Sequence, residues 1–311
     1  MEKVSTGYVV LLGAANIDIQ GFPYDTLVQA DSNPGVIRVC PGGVSRNIAE
    51  NLARMGVSVE LVTAIGGGVN GRYLLDSCRE CGIGTGYSLV LPEKESSTYL
   101  AIMDRGGDMA LALSDMRISD SITVKHIERI DTLLRKAALI ELDPCLSEGV
   151  ITYILTHYRD VPLYVDPVSL GKAKKIKNQL QGIHTLKLNE REAGFLSDCA
   201  VHSDRDLETV SGALLKHGIK RVFITRGRRG VYYRDGESRG TVVPPEVEVS
   251  SATGAGDAFM AGVIFGTLHE LTVRDTAVFA TGASICALTS EDTVDSRVSV
   301  SKIETITKEM Q

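Results

Sequence analysis

Short apolar runs rich in β-branched residues alternate with longer stretches of helical periodicity along most of this chain. The runs predict strands at Tyr8–Gly13, Ser58–Ile65, Ala138–Asp143, Pro162–Asp166, Thr185–Leu188 and Arg221–Thr225. Between them the pattern predicts helices over Val44–Met55, Asn70–Cys81, Ser147–His157, Asn189–Leu196 and Asp204–His217. In the first of these, Val44, Ile48, Leu52 and Met55 recur at spacings of four, four and three, which gathers them on one face. Strand and helix alternating this regularly imply an α/β protein, with a mostly parallel central sheet covered by helices on both faces.

Two stretches break the rhythm. Tyr87–Leu91, Ser97–Met103 and Met109–Leu113 read as strands joined by Pro92-Glu93-Lys94 and by the turn-forming cluster Asp104–Asp108, with no helix between them. Together with Gly35–Cys40 they predict a small antiparallel flap beside the main sheet, drawn from segments near 19–41 and 87–114. No linker, repeat or low-complexity segment divides the 311 residues, so the expectation is a single domain over 1–311 with an inserted β lid.

Composition narrows the classes. A hydrophobic fraction of 43% with 31 glycines fits a globular enzyme-sized protein. Lys and Arg total 33 against 39 Asp and Glu, a formal charge of −6, which argues against sequence-independent binding of nucleic acid. No apolar run reaches the roughly 18 residues of a membrane span, and the first residues lack a signal peptide's pattern, so a cytoplasmic protein is expected. Six scattered cysteines fit reduced, mostly buried thiols. Cys78 and Cys81 form one CxxC inside a helical pattern, without the second ligand pair that zinc needs.

The chemistry concentrates near the C-terminal end, in "SSATGAGDAFMAGVIFGTL", Ser250 to Leu268. Thr253-Gly254-Ala255-Gly256 places several backbone N–H groups in a tight turn at the start of a predicted helix, an arrangement that attracts anions. Asp257, at the same place, can accept a proton from an alcohol. An anion hole beside a base suggests phosphoryl transfer to a hydroxyl. Taken alone, the stretch equally allows Asp257 to be a carboxylate that offsets the helix dipole.

Three motifs in order shift that balance. Gly42-Gly43-Val44-Ser45-Arg46-Asn47-Ile48-Ala49, Asn189-Glu190-Arg191-Glu192 and Gly254-Ala255-Gly256-Asp257 resemble the N-terminal signature, the NxxE motif and the C-terminal signature of the ribokinase-like (PfkB) carbohydrate kinases. The match in order and spacing covers nearly the whole chain. It implies a three-layer ribokinase-like fold with a small β lid, ATP and Mg²⁺ as cofactors, and a homodimer paired through the lid. "ADSNPG" (Ala30–Gly35), "PGGVSRNIAENLA" (Pro41–Ala53), "SDMRIS" (Ser114–Ser119), "VDPVS" (Val165–Ser169) and "HTLKLNE" (His184–Glu190) are similar to the branch of that family that phosphorylates pseudouridine. Kinases of the same fold for another nucleoside or sugar are the alternative, and a non-catalytic nucleoside sensor is a further one.

By that resemblance, Asp257 is the base for the 5′-hydroxyl, and Gly254, Ala255 and Gly256 stabilise the transferring phosphoryl. Asn189 and Glu192 organise Mg²⁺ through water. Asn16 and Asp18 hold the ribose, with Gly42 and Gly43 giving close approach and Asn47 a donor and an acceptor. Ser32 and Asn33, then Asp166 and Lys187, are candidates for the uracil edge, with Tyr99 or Met116 packing beside the ring. Thr225, Gly227 and Gly230 belong to the nucleotide loop, where Arg226, Arg228 and Arg229 read equally as solvated charges. The adenine is expected between that loop and the helix around Ala280–Ala287.

One departure stands out. Many family members carry Asp-Thr-Thr before Gly-Ala-Gly-Asp, the acid helping to hold a monovalent cation, whereas this chain has Ser251-Ala252-Thr253. The resemblance therefore leaves K⁺ activation open.

Overall fold

The computed structural model describes residues 7–310. Its frame is an eight-stranded sheet built from β1 (Val9–Leu12), β4 (Val59–Val62), β9 (Leu139–Leu142), β10 (Leu163–Val165), β11 (Thr185–Asn189), β12 (Arg221–Thr225), β13 (Val231–Arg234) and β14 (Arg239–Val242). The order across the sheet is β14-β13-β12-β11-β10-β9-β1-β4. The pairs from β4 to β12 are parallel, and β13 and β14 add an antiparallel edge.

Strand pleating sorts side chains onto two faces. Val10, Leu12, Ile140, Leu142, Leu186, Leu188, Val222 and Ile224 enter one buried cluster. Helices α3 (Val124–Arg129), α4 (Asp131–Lys136), α5 (Glu148–His157), α6 (Leu170–Ala173), α7 (Glu190–Ser197) and α8 (Asp204–Lys216) close that cluster. Val9, Leu11, Leu139, Tyr164 and Phe223 point the other way, against α1 (Val44–Arg54), α2 (Val69–Glu80), α9 (Ala255–Leu268), α10 (Val273–Leu288) and α11 (Val300–Thr307). The result is the three-layer α/β architecture that the alternation predicted.

The lid is a separate four-stranded sheet, β3-β2-β7-β8. It comprises β2 (Asn16–Pro23), β3 (Gly35–Gly42), β7 (Thr98–Met103) and β8 (Met109–Asp115). Two details differ from the expected antiparallel flap. The β2–β7 pair is parallel. The apolar run around Leu89 does not join the lid, because β6 (Leu89–Leu91) pairs with β5 (Ala64–Gly66) in a sheet of two strands. A short apolar run satisfies either partner, and periodicity alone does not choose.

The register gives the lid two unlike faces. Val39, Ile19, Leu100 and Leu113 align in one row, and Ile37, Gly21, Ile102 and Leu111 in a second row on the same side. On the other side Cys40, Asp18, Tyr99 and Ser114 align, with Asn16 beside Gly42. The six cysteines are all free thiols, two buried and four half-buried.

Helices α9 and α10 pack closely because Gly262 presents no side chain: a Cβ there would lie 2.5 Å from Ala280 Cα. A methyl group cannot be accommodated without a backbone shift, and overpacking of this kind costs about 1–3 kcal/mol. Gly262→Ala is therefore expected to lower the denaturation midpoint in a urea titration, with the slope unchanged.

Candidate active site

The chain leaves β1 toward β4 on one side and reaches β9 on the other, so the strand order reverses beside β1. In open α/β sheets the crevice at the carboxyl ends of strands at such a reversal is where ligands bind. Into that crevice come Gly13–Asn16, the start of α1, Asp143 after β9, Asp166 after β10 and Lys187 from β11. Pleat parity places Glu141 and Lys187 on the α1 and α9 side, since their strand neighbours Ile140, Leu142, Leu186 and Leu188 all fill the opposite cluster.

The anionic end is built on α9. Gly254 caps that helix in the left-handed region at φ 79°, and a Cβ there would lie 2.0 Å from Thr293 O, so only glycine fits. The first-turn amides that follow have no partner within the helix. Asp257 sits in that turn, and its Oδ2 accepts a hydrogen bond from Asn47 Nδ2 on α1 at 2.9 Å. The carboxylate is thus tied across the crevice to the Gly42-Gly43 helix, as a dipole-offsetting residue need not be.

Lys187 borders the same turn: a Cβ on Gly256 would come within 2.9 Å of its Nζ. The ammonium pairs with Asp166 Oδ2 at 2.6 Å, while Asp166 Oδ1 accepts from Val168 N at 2.9 Å. Both residues were expected at the uracil edge. The structure instead pairs them with each other next to Gly256, and both oxygens of Asp166 are engaged.

Burial, above all, lifts the Asp257 carboxyl to about 7. The Asn47 hydrogen bond pulls it down, Asp166 pushes it up, Lys187 pulls it down and Asp143 pushes it up. Burial works against the Lys187 ammonium as well, but Asp166, with Asp257 and Glu192, outweighs that and leaves its pKa raised. Glu141, fully buried, receives a hydrogen bond from Ser45 Oγ at 2.8 Å, and its carboxyl is pushed well up, chiefly by burial.

The second half of the crevice is lined by the lid's polar side. Asn16 Nδ2 donates to Asp18 Oδ1 at 2.5 Å. A Cβ on Gly42 would fall 2.2 Å from Asp18 Oδ2, so that glycine makes room for the carboxylate. Gly43, at φ 100°, starts α1, and any side chain on it would strike the Ala14 carbonyl. Burial raises Asp18 to about 6, with Asn16 and Arg46 acting in the opposite direction. Tyr99 lies beside Asp18 in register. Ser32 and Asn33 stand on the loop between β2 and β3, where the Asn33 side chain is spent on Val28 N, Val28 O and Asp31 O. Met116 is half-buried, just after β8.

At the nucleotide end, Thr225, Gly227 and Gly230 line a cleft with Ala255, Gly256 and Phe259, and Thr281, Ser284 and Ile285 of α10 face them across it. Gly230 has φ 85°, and a Cβ would lie 1.9 Å from Val242 O. Arg226 is buried rather than solvated, donating to Glu190 Oε1 at 3.1 Å and paired with Asp204, and Arg229 pairs with Glu190 at 2.5 Å. Asn189 and Glu192 form a reciprocal capping box on α7: each side chain accepts the other's backbone N–H at 2.9 Å. Glu192 is buried, and that burial raises its carboxyl. Among the described residues no cluster of three His, Cys, Asp or Glu forms a metal cage.

Sequence reasoning passed over Asp143, Lys172 and Arg46. Asp143 accepts from Ala14 N at 3.2 Å and Cys145 N at 2.9 Å and pairs with Lys172 Nζ at 3.0 Å, which fixes the loop after β1. The available signal was Glu141 interrupting the apolar run Ala138–Leu142 and Asp143 ending it.

A family model described as pfkB family carbohydrate kinase matches residues 6–299. The chain belongs to this family. Pseudouridine kinase of Escherichia coli strain K12 is similar to this pfkB member at 38% identity over 298 residues, covering 95% of each chain. A solved carbohydrate kinase from Agrobacterium tumefaciens superposes with a TM-score of 0.85 at 26% identity, covering 97% of both. An Arabidopsis thaliana ribokinase solved with ribose and ATP shares the fold at TM-score 0.83 and 16% identity, covering 98% of this chain and 99% of that one. The pfkB kinases of this ribokinase-like fold use ATP, and no helix among the described residues is long and apolar enough to cross a membrane.

The raised pKa of Asp257 has a consequence for stability. An aspartate unfolds to an ordinary pKa near 3.8 but carries about 7 when folded, so its charge opposes folding increasingly as pH rises from about 4 to 7. Asp257→Asn removes that opposition. The variant is expected to melt above the parent protein at pH 8, with the difference vanishing near pH 4, in a series of thermal melts.

Proposed function

We propose that this kinase transfers the γ-phosphoryl of ATP to the 5′-hydroxyl of pseudouridine, giving pseudouridine 5′-phosphate. The observation that carries the reading is the Asn47–Asp257 contact. It brings a base at an anion-binding helix start within reach of the crevice whose other wall holds Asn16 and Asp18. The 38% identity to a pseudouridine kinase over 95% of both chains supports the choice of nucleoside.

Asp18 takes the ribose hydroxyls as a carboxylate accepting two donors, with Asn16 holding one of its oxygens in place. Asp257 accepts the proton of the 5′-hydroxyl as the oxygen attacks phosphorus, and a pKa near 7 matches that task at neutral pH. The α9 amides at Ala255 and Gly256, with the Lys187 ammonium beside them, stabilise charge growing on the phosphoryl oxygens. The adenine lies in the cleft between the Thr225–Gly230 loop and α10. Ser32, rather than the self-engaged Asn33, is the better-placed reader of the uracil edge on that loop.

Mg²⁺, when bound with the triphosphate, neutralises phosphate charge. Glu192 and Asn189 would hold it through water, which suits a cation that keeps its hydration shell and takes only one or two protein carboxylates. The capping box engages Glu192 Oε2 and Asn189 Oδ1, which fixes the direction of both side chains. No K⁺ site enters this reading: Ser251 Oγ accepts from Thr253 N at 3.2 Å, and serine brings no charge. Two copies pair through the apolar lid face, where Ile37, Leu111 and Leu113 are 72%, 61% and 65% exposed.

A competition assay with ATP and equimolar pseudouridine, uridine, adenosine and ribose is expected to phosphorylate pseudouridine first; preference for ribose or adenosine would reassign the substrate. Asp257→Asn is expected to lower kcat by a factor on the order of 10² to 10⁴ with nucleoside Kd little changed. Turnover equal to the parent's in that variant overturns the base.

A further inference from the structure

Arg46 belongs to the Gly42–Ala49 signature, yet none of the roles above uses it. Its side chain is buried, 3% exposed, and is gripped from three elements. Nη1 donates to Pro41 O at 3.3 Å at the end of the lid strand, and Nη2 donates to Ser77 Oγ on α2 at 3.1 Å. Nη2 also pairs with Glu50, one turn along α1, and Glu50 is held in turn by Arg54 at 2.7 Å. So fixed, Nη1 reaches Asn47 Oδ1 at 3.0 Å.

A guanidinium has five N–H donors and no acceptor. Whatever side of the Asn47 amide faces Arg46 must therefore be the carbonyl. The amide's NH₂ is then the group left to face Asp257, and it donates to Oδ2 at 2.9 Å. We propose that Arg46 is a positioning residue for phosphoryl transfer: it locks the Asn47 amide so that an N–H, and not the carbonyl, is presented to Asp257. This rests on the reading of Asp257 as the base.

The lock matters because an asparagine amide without it can rotate by 180°. The rotated carbonyl would face the carboxylate with a lone pair, an arrangement tolerable only when Asp257 is protonated and donates. A base so protonated cannot take a proton from the alcohol. The other charged groups around Asp257 are Lys187 from β11, Asp166 after β10, Glu141 from β9 and Asp143 after it, whereas the Asn47 amide is engaged by Arg46 and Asp257. Around Arg46 stand Glu50 and Arg54 on α1, Asp18 on β2, Cys40 on β3, Cys78 on α2 and Cys81 at the C-terminal cap of α2. Arg46 thus also favours the ionised form of Asp18. Measurements at saturating nucleoside separate that effect on binding from the effect on the base.

The test is the pH profile of kcat, at saturating pseudouridine and ATP, for the full-length parent and for Arg46→Met, Arg46→Lys, Asn47→Leu and the Arg46→Met/Asn47→Leu double variant. Arg46→Met is expected to move the acid limb upward by about one pH unit, the size expected for losing a hydrogen bond to a charged group. Arg46→Lys, which still only donates, should restore most of the parental profile. In the Asn47→Leu background, adding Arg46→Met should shift the limb no further, since the arginine acts through that amide. An unmoved limb in Arg46→Met, or a shift that adds fully to that of Asn47→Leu, overturns the proposal. Asp257→Asn assayed alongside separates the two readings: full turnover there refutes the base, whereas a dead Asp257→Asn with an unmoved Arg46→Met limb refutes only the lock.

Discussion

Carboxylates crowded at one desolvated strand edge are the constraint around which this molecule is arranged. Glu141 feels the charges of Asp143, Asp166 and Asp257, and Asp257 those of Asp166 and Asp143. Two like charges 4 Å apart repel by roughly 4 kcal/mol in a protein-like medium. Two lysines answer this, Lys187 against Asp166 and Lys172 against Asp143, and Glu141, deepest of the four, is held toward its neutral form with Ser45 as partner. Asp257, like Glu141, has no lysine of its own at ion-pair distance among the described residues, and its balancing contact is a neutral amide. That leaves its pKa near neutrality, where a group can both receive a proton and give it up.

The frame makes this crowding possible. Parallel strands ending together deliver their last side chains to one edge, and pleat parity decides which of them face α1 and α9. Lys187 lies between Leu186 and Leu188, both of which fill the opposite cluster, so its ammonium has no direction to take but toward Gly256. Glycine at 256 leaves that approach open, and glycine at 254 is required for the turn that exposes the amides. The same logic governs the lid, whose period of two sends Asp18 and Tyr99 to the crevice and Ile19, Leu100 and Leu113 away from it.

Much of this was legible in the residue pattern, and the failures have identifiable causes. The central strands and the helices at Val44, Asn70, Ser147 and Asp204 were readable because each carries a full stripe or run of apolar positions. The strand Asn16–Pro23 was missed, because it follows β1 so directly that it reads as a loop, although Asn-Ile-Asp-Ile-Gln alternates as a half-buried strand does. The Leu89–Leu91 run went to the wrong sheet because its choice of partner is non-local. Lys187 and Asp166 carry donors and acceptors suited to a uracil edge, and only the pairing of β10 with β11 reveals that they neutralise each other. No periodicity marks Arg46, whose role depends on three elements meeting around it.

The Asn189–Glu192 motif shows how a local rule and a chemical one can share the same atoms. Asn followed three residues later by Glu is the signature of a capped helix start, and α7 is capped in that way. A carboxylate used as a cap surrenders one oxygen to a backbone amide, and burial then raises the pKa of the whole group. Such a carboxylate is poorly suited to bare, direct coordination, which favours a strong and fully available anion. It is well suited to hold a water of a hydrated cation through its second oxygen, because the cap fixes the side chain's direction without spending both lone-pair sets. The motif therefore secures geometry first, and its contribution to the charge of the site follows from where the helix is made to begin.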